Sequence, residues 1–425
     1  MNRPRPPFKP LRLQGWFGPG VVSAALLALF AGFGQFGAVA ALGDVAKSFG
    51  HLSHGPALSE QAGLSGTELG LGLTVVRLAS LGALPLAGLA DRFGRRRMLL
   101  TTCLIGLALT AAAAASPGYW WLVVIFALGR PFLSATATLA QVIAAEVTAA
   151  PDRARAVALV AAGYSLGAGI TAVIHSLAAD LLGFRGIFAL ALVPMAFLPL
   201  VSRRVVEPDR FVRAAAASEH PLPVLGAVAP AFRRRLVVVA AIAFAVSIIT
   251  GPANSLLFLY AQNVVRLSGV ATATMVVLAG GLGLVGLLVG QRLADHWGRR
   301  PTAGLAMVAI AFFCIVAYSG SVAGLILGYV LGVFAAAMFA PAAGALSNEL
   351  FPTSVRASIA GWQVAAGVLG AVAGLLVFGA VADVSNRFGL AALVTFAPVT
   401  GAALLFWRLP ETRNREPEDL WPTTA

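Results

Sequence analysis

Charge is scarce in this 425-residue chain: Asp, Glu, Lys and Arg together make up 11% of it. A soluble globular domain carries near 25%, so that class is excluded. Lysine is almost missing, with Lys9 and Lys47 the only two, and arginine supplies the other positive charges. Only two cysteines occur, Cys103 and Cys314, both inside apolar runs, which excludes a disulfide framework and a cysteine metal centre. His51 and His54 have no further metal ligand spaced with them. Basic clusters do not alternate with aromatics as they do in nucleic-acid binders, so the net charge of +13 has another origin. Neither a GxxxxGK[ST] phosphate loop nor an HExxH motif is present. An ATP-driven machine and an enzyme therefore have no support, and no cofactor is expected.

What the chain does have is apolar sequence: 59% hydrophobic residues and a mean hydropathy of +0.87. That is about 250 residues, enough for about twelve membrane helices of about 20 residues each. Apolar runs fall at 20–43, 66–88, 98–116, 118–147, 155–180, 184–202, 236–263, 269–291, 302–320, 322–348, 356–382 and 387–408. Each must be helical, because lipid offers no partner for a free backbone group. Glycines within them, such as Gly280, Gly281, Gly283 and Gly286, suit close helix–helix packing. The first run, Val21 to Leu42, ends in an imitation cleavage site, Ala38-Val39-Ala40. It exceeds a secretory apolar core of 7–15 residues and reads as a spanning helix.

The arginines lie between the runs. With the amino terminus inside, 24 of the 30 Lys and Arg residues face the cytoplasm and four face outward. Arg77 and Arg130 alone remain within spans. This bias places both termini in the cytoplasm. The longest polar interruption, 203–235, contains seven arginines and four prolines and parts the spans six and six. The expected organisation is a cytoplasmic tail (1–19), a six-helix bundle (20–202), a cytoplasmic loop (203–235), a second bundle (236–408) and a tail (409–425).

The halves repeat. Leu89-Ala90-Asp91-Arg92-Phe93-Gly94-Arg95-Arg96 follows span 2, and Leu293-Ala294-Asp295-His296-Trp297-Gly298-Arg299-Arg300 follows span 8, at an offset of 204 residues. Glu146, Pro151 and Arg155 after span 4 are echoed by Glu349, Pro352 and Arg356 after span 10. Duplication of a six-helix unit is a frequent plan for secondary transporters.

On these residues the chain resembles the major facilitator superfamily. Gly88-x-x-Asp91-Arg92-x-Gly94-Arg95-Arg96 is similar to its loop 2–3 motif. Glu349-Leu350-Phe351-Pro352-Thr353-Ser354-x-Arg356 and Pro410-Glu411-Thr412-Arg413 resemble the sugar-porter and metabolite:proton symporter branch. The resemblance implies an all-α fold of twelve helices in two six-helix bundles, with substrate bound between them. It also implies gating roles for Gly88, Asp91, Arg92, Gly94, Arg95, Arg96, Glu146 and Arg155. In the second half the counterparts are Asp295, Gly298, Arg299, Arg300, Glu349 and Arg356. The second copy departs from the first, with His296 in place of Arg92 and Arg292 in place of Gly88.

Charges within the bilayer cost roughly 2.5–3.5 kcal/mol each on insertion scales and mark function. Arg77 and Arg130 both fall at depth, and Arg130-Pro131-Phe132-Leu133-Ser134 is similar to the span-4 motif of the superfamily, with Ser134 replacing its usual glycine. Two deep arginines without an equally deep acid invite an anionic substrate, unless they reach up to Asp44 or Glu68. Further candidates for binding or coupling are Gln35, Tyr164, His175, Asn254 after Gly251-Pro252, Trp362 and Gln363. The sugar-porter Gln-Gln pair of span 7 is replaced by Ile248 and Ile249, the span-1 aspartate of aromatic-acid symporters is absent, and the Gly-Pro pair of drug antiporters reads Gly167-Ala168.

The resulting expectation is a secondary active transporter of a small polar solute, a sugar, organic acid or similar metabolite. It sits in the bacterial inner membrane as a functional monomer, coupled to protons and partnered by lipid and substrate but not by nucleic acid. Proton-driven multidrug efflux is the runner-up, and a transporter-like sensor without flux a rival from another class. Reporter fusions within 89–97 and within 293–301 are expected to read out on the same side of the membrane; opposite sides would dismantle the duplicated topology.

Overall fold

The computed structural model describes residues 13–50, 62–149, 152–209 and 229–413. The described chain is α-helical, and its β-type pairing amounts to one isolated bridge between Gln14 and Thr148. In chain order the helices are α1 (Pro19–Ala40), α2 (Leu42–Phe49), α3 (Gly66–Ala79), α4 (Ala83–Phe93), α5 (Arg95–Ala112), α6 (Tyr119–Val147), α7 (Arg153–Ala189) and α8 (Leu192–Ser202). The second half comprises α9 (Pro230–Leu259), α10 (Gly269–His296), α11 (Arg299–Ala317), α12 (Val322–Glu349), α13 (Thr353–Ser385) and α14 (Phe388–Phe396), with a 3₁₀ segment at Ala397–Arg408. Helices α3 and α4 form one crossing, joined through a short 3₁₀ turn at Ser80–Gly82.

Among the described residues eleven helices are long and apolar enough to cross a membrane, one fewer than the twelve runs. The difference is at Gly183. There the backbone takes φ 54° and ψ −173°, which breaks helical geometry inside α7. The residues beyond it make a separate crossing with α8. At one end Arg185 donates to the Ala114 carbonyl, at the end of α5. At the other end Ser23, near the start of α1, donates to the carbonyl of Arg204. The two ends of span 6 thus lie at opposite faces, and twelve crossings are present. The chain is a multi-pass membrane protein.

Packing within each half rests on glycine. A Cβ on Gly167 would collide with the Leu29 carbonyl, and one on Gly163 with the Ala25 carbonyl, so α7 lies backbone to backbone on α1. In the second half Gly370 and Gly374 of α13 meet the carbonyls of Phe244 and Ile248 on α9 in the same way. Close approach of this kind is how membrane helices gain contact where water expulsion offers no drive. In α10, Gly286 and Gly290 meet α12, whereas Gly280 and Gly281 face open space. Only part of that glycine run therefore serves helix packing.

Replacing Gly167 by Val is expected to cost at least about 1–3 kcal/mol through overpacking, read as a lower melting temperature of the purified protein. Gly169→Ala is the control, because nothing lies within 4 Å of a Cβ there, and its melting temperature should match wild type.

Candidate substrate path and gates

The arginine-bearing loops define one face of the bundle. Gly94 and Gly298, the residues before α5 and α11, hold φ of 96° and 116°, a region that L side chains rarely adopt. Each glycine turns the chain so that the first amides of the next helix point at a carboxylate. The Arg95 and Arg96 amides donate to Glu207 at 2.7 and 3.0 Å. The Arg299 and Arg300 amides donate to Glu411 at 2.9 and 3.1 Å. A carboxylate at a helix N-terminus satisfies orphan donors and complements the dipole. The Arg95 side chain pairs with Glu146, and that of Arg299 pairs with Glu349 at 3.4 Å and with Asp295 at 3.4 Å. Arg300 lies over the Trp407 ring at 4.9 Å.

These are the loop-motif residues that the sequence singled out, with two that it did not: Glu207 and the capping role of Glu411. The signal was available, since the two carboxylates are 204 residues apart, the same offset as Gly94 and Gly298. Arg155 pairs with Asp152 at 3.6 Å, and Glu146 pairs with Arg95. Gly88 has nothing within 4 Å of a Cβ, and Arg92 is exposed. The side chains of Asp91 and Arg356 lie outside the described residues, as do His51 and His54.

At the opposite face the two halves are bonded to each other. Asp383 near the end of α13 accepts from the amides of Gly66 and Thr67, at 2.5 and 2.7 Å, and from the Thr67 hydroxyl. A carboxylate of one half therefore caps the helix of the other. Gly66 and Gly379 allow the approach, since a Cβ on either would press on the other's backbone. Beside this seam α9 runs into a π-helical turn, Tyr260–Val264. There Asn263 donates to the carbonyls of Gly43 and Ala62 at 3.1 and 2.9 Å, and Gln262 donates to the Ala40 carbonyl at 3.2 Å. Gln262 also bonds Nδ1 of His175 at 3.3 Å, while Nε2 of the same ring meets Asp44 at 2.7 Å. His175 is 1% exposed. Asp383, Gln262 and Asn263 were not candidates in the sequence, because their partners lie across the interface between halves.

Below the seam, Phe36 of α1 packs edge-on against Phe258 of α9 at 5.6 Å. A small cavity of about 40 Å³, lined by Arg77, Arg130, Ser255, Tyr119 and Phe126, lies at this level. Arg77 also lines a cavity of about 230 Å³ with Ser247, Thr250 and Asn254. Ser247 and Gly367 carry that space into a larger hollow of about 520 Å³ that reaches Gln363 and Ser347. Asn254 is exposed among buried neighbours of its helix, so it faces this path. Tyr164 donates to Gln35 Oε1 at 3.0 Å, and Gln35 is 4% exposed. Gln363 donates to the Ser347 hydroxyl. Trp362, 41% exposed, is not among the lining residues.

Gly163-Tyr164-Ser165-Leu166-Gly167 matches the spacing of a nucleophile elbow. It lies inside the continuous helix α7, without the strand and turn that such an elbow needs, and its two glycines are the packing contacts described above.

A duplicated helical bundle, bonded together at one face and hollow toward the other, defines a membrane transporter. The chain belongs to the Major Facilitator Superfamily, whose sequence profile matches residues 24–303 and 283–423. It is similar to the probable 4-methylmuconolactone transporter of Cupriavidus pinatubonensis, at 27% identity over 386 residues, 87% of this chain and 88% of that protein. Over 145 residues, about a third of each chain, it is 32% identical to the inner membrane transport protein YnfM of Escherichia coli. Its fold is similar to the inward-open conformation of the xylose transporter XylE from E. coli, with a TM-score of 0.72, 18% identity and coverage of 95% of this chain and 99% of that one. Family and fold are those of secondary transporters.

Burial raises the Glu411 carboxyl, but the amides of Arg299, Arg300, Arg413 and Thr412 lower it more, and it rests below the usual carboxylate range. Because the native group titrates below the unfolded one, its contribution is complete above about pH 4.3 and is lost as pH falls through the native value. Glu411→Gln is expected to remove about 1 kcal/mol or less at pH 7, a helix cap reduced by its partial exposure. Melting temperatures of variant and wild type should converge as pH falls below about 4.3; a constant gap would mean that charge plays no part in the cap.

Proposed function

We propose that this protein is a proton-coupled importer of small polar organic solutes, working by alternating access in a bacterial inner membrane. On this reading the arginine face is cytoplasmic, both termini lie inside, the protein acts as a monomer, and the polar seam is the outer gate. The observation that carries it is the seam itself. Asp383, Gln262 and Asn263 bridge two halves at one face, while a polar cavity beneath opens toward the other. Such contacts are made in one arrangement of the halves and lost in the other, so they bias a two-state equilibrium. The arginine asymmetry supports the orientation, and the printed name of the E. coli relative as an inner membrane protein supports the location.

Proton coupling is supported by what bridges the seam. The deep part of span 1 carries Gln35 where a proton-binding acid would stand. The titratable pair that touches both halves is Asp44 with His175, with Lys47 3.9 Å from Asp44. A neutral imidazole accepts the Gln262 amide at Nδ1 and donates from Nε2 to Asp44. A doubly protonated ring has no acceptor left for that amide. On this reading the Asp44–His175–Gln262 chain is the link between the proton and the gate.

Proteoliposomes with an alkaline lumen are expected to accumulate radiolabelled solute from a panel of sugars, organic acids and drugs, and His175→Gln to lose at least about ten-fold of that accumulation. Counterflow exchange at zero gradient should survive in the variant. Accumulation by the variant at the wild-type level would remove the coupling role, and extrusion of drugs instead of uptake would reverse the direction.

A further inference from the structure

We propose that the transported solute is a carboxylate-bearing organic anion, with its carboxylate seated between Arg77 and Arg130. This inference rests on the transport reading and names the substrate class of the same path. Arg77 comes from α3 and Arg130 from α6, and their side chains line one cavity together with Ser255 of the other half.

Among the described residues neither guanidinium has an acidic partner within ion-pair distance. The acids that the sequence offered them are engaged elsewhere. Asp44 is held by His175 and Lys47, and Glu68 meets the Ser65 hydroxyl in the capping box of α3. Arg77 donates to the Ser255 hydroxyl at a long 3.4 Å, a neutral acceptor that does not offset its charge. Arg130 Nε is buried and makes no hydrogen bond. Two cations in a low-dielectric cavity, one of them with an unsatisfied donor, form an incomplete site. A carboxylate supplies what both lack, because a planar guanidinium binds it through two parallel N–H donors.

The surroundings narrow the class. Val76, Val39, Leu122 and Phe126 close the upper side with apolar surface, which fits a compact hydrocarbon or ring. Ser247, Thr250 and Asn254 of the second half line the cavity below Arg77 and suit a further oxygen, such as a carbonyl, hydroxyl or ring ester. A ligand held by arginines on one half and hydroxyls on the other draws the halves together.

Thermal shift and calorimetry on the purified full-length protein test the site apart from flux. The probes are benzoate, 4-hydroxybenzoate and laevulinate, each with its neutral carboxamide, and xylose. Carboxylates are expected to raise the melting temperature and the amides and xylose not to, with Arg130→Gln and Arg77→Gln each weakening carboxylate binding at least about ten-fold. A second readout needs no ligand. Without added anion, Arg130→Gln should melt at or above wild type, since it removes an uncompensated buried charge. Clear destabilisation or misfolding of both glutamine variants would make the arginines structural and overturn the proposal, as would stabilisation by xylose or amides alone, or by no probe. Arginine-dependent carboxylate binding without flux of any solute would leave the site standing and sink the transport reading, and flux of neutral solutes only would do the reverse.

Discussion

A charge surrounded by hydrocarbon must find a partner or water, and the layout of this protein follows from how it meets that demand. With 11% charged residues, the chain spends its few ionic groups at the ends of helices. There Glu207 and Glu411 bind the first amides of α5 and α11, and Asp383 binds those of α3. Helix termini are where an α-helix leaves its own donors unpaired, so each carboxylate answers two needs at once. It stabilises a helix start, and it fixes which neighbour that helix sits beside. Arg77 and Arg130 are the exceptions, lining one small cavity with no acidic partner among the described residues.

Glycine brings helices together both within and between the halves. Inside each half, α1 against α7 and α9 against α13 meet through glycines so closely that a methyl group would not fit. Those contacts are made of many small dispersion terms and hold one geometry. Between the halves glycines also meet backbone, Gly66 against Gly379 and Gly269 against Ser176, and the seam adds hydrogen bonds at one face, among them the Asp383 cap, the amides of Gln262 and Asn263, and the His175 ring. Such bonds can be exchanged for bonds to water at modest net cost.

Duplication explains the arginine face and stops at the seam. Gly94 and Gly298, Arg95 and Arg299, Glu146 and Glu349, and Glu207 and Glu411 hold equivalent places in the two halves, so one local solution was used twice. The clasp has no such symmetry. Asp383 and the π-helical turn at Tyr260–Val264 belong to the second half, and Asp44 and His175 belong to the first. The polar lining of the cavities is likewise divided, with guanidiniums on the first half and hydroxyls and an amide on the second.

The sequence by itself determined the class of the molecule. Apolar runs of membrane length admit no backbone other than helix, arginine placement orders the loops, and a repeat offset of 204 residues gives two bundles. It also picked out Arg77, Arg130, Tyr164 and His175, because polar residues are conspicuous in apolar sequence. Tertiary structure decided which of them meet. Tyr164 reaches Gln35, and His175 reaches Asp44 and Gln262, across sequence distances that no periodicity encodes. Arg155 pairs with Asp152, and Glu146 with Arg95. The twelfth crossing follows from the backbone break at Gly183, in the gap that the apolar runs leave between 155–180 and 184–202. Asp383, Gln262 and Asn263 look like ordinary residues at a helix end, and bridge the halves only because the other half packs against them. Hydropathy is a property of one segment, whereas a hydrogen bond between halves is a property of a pair.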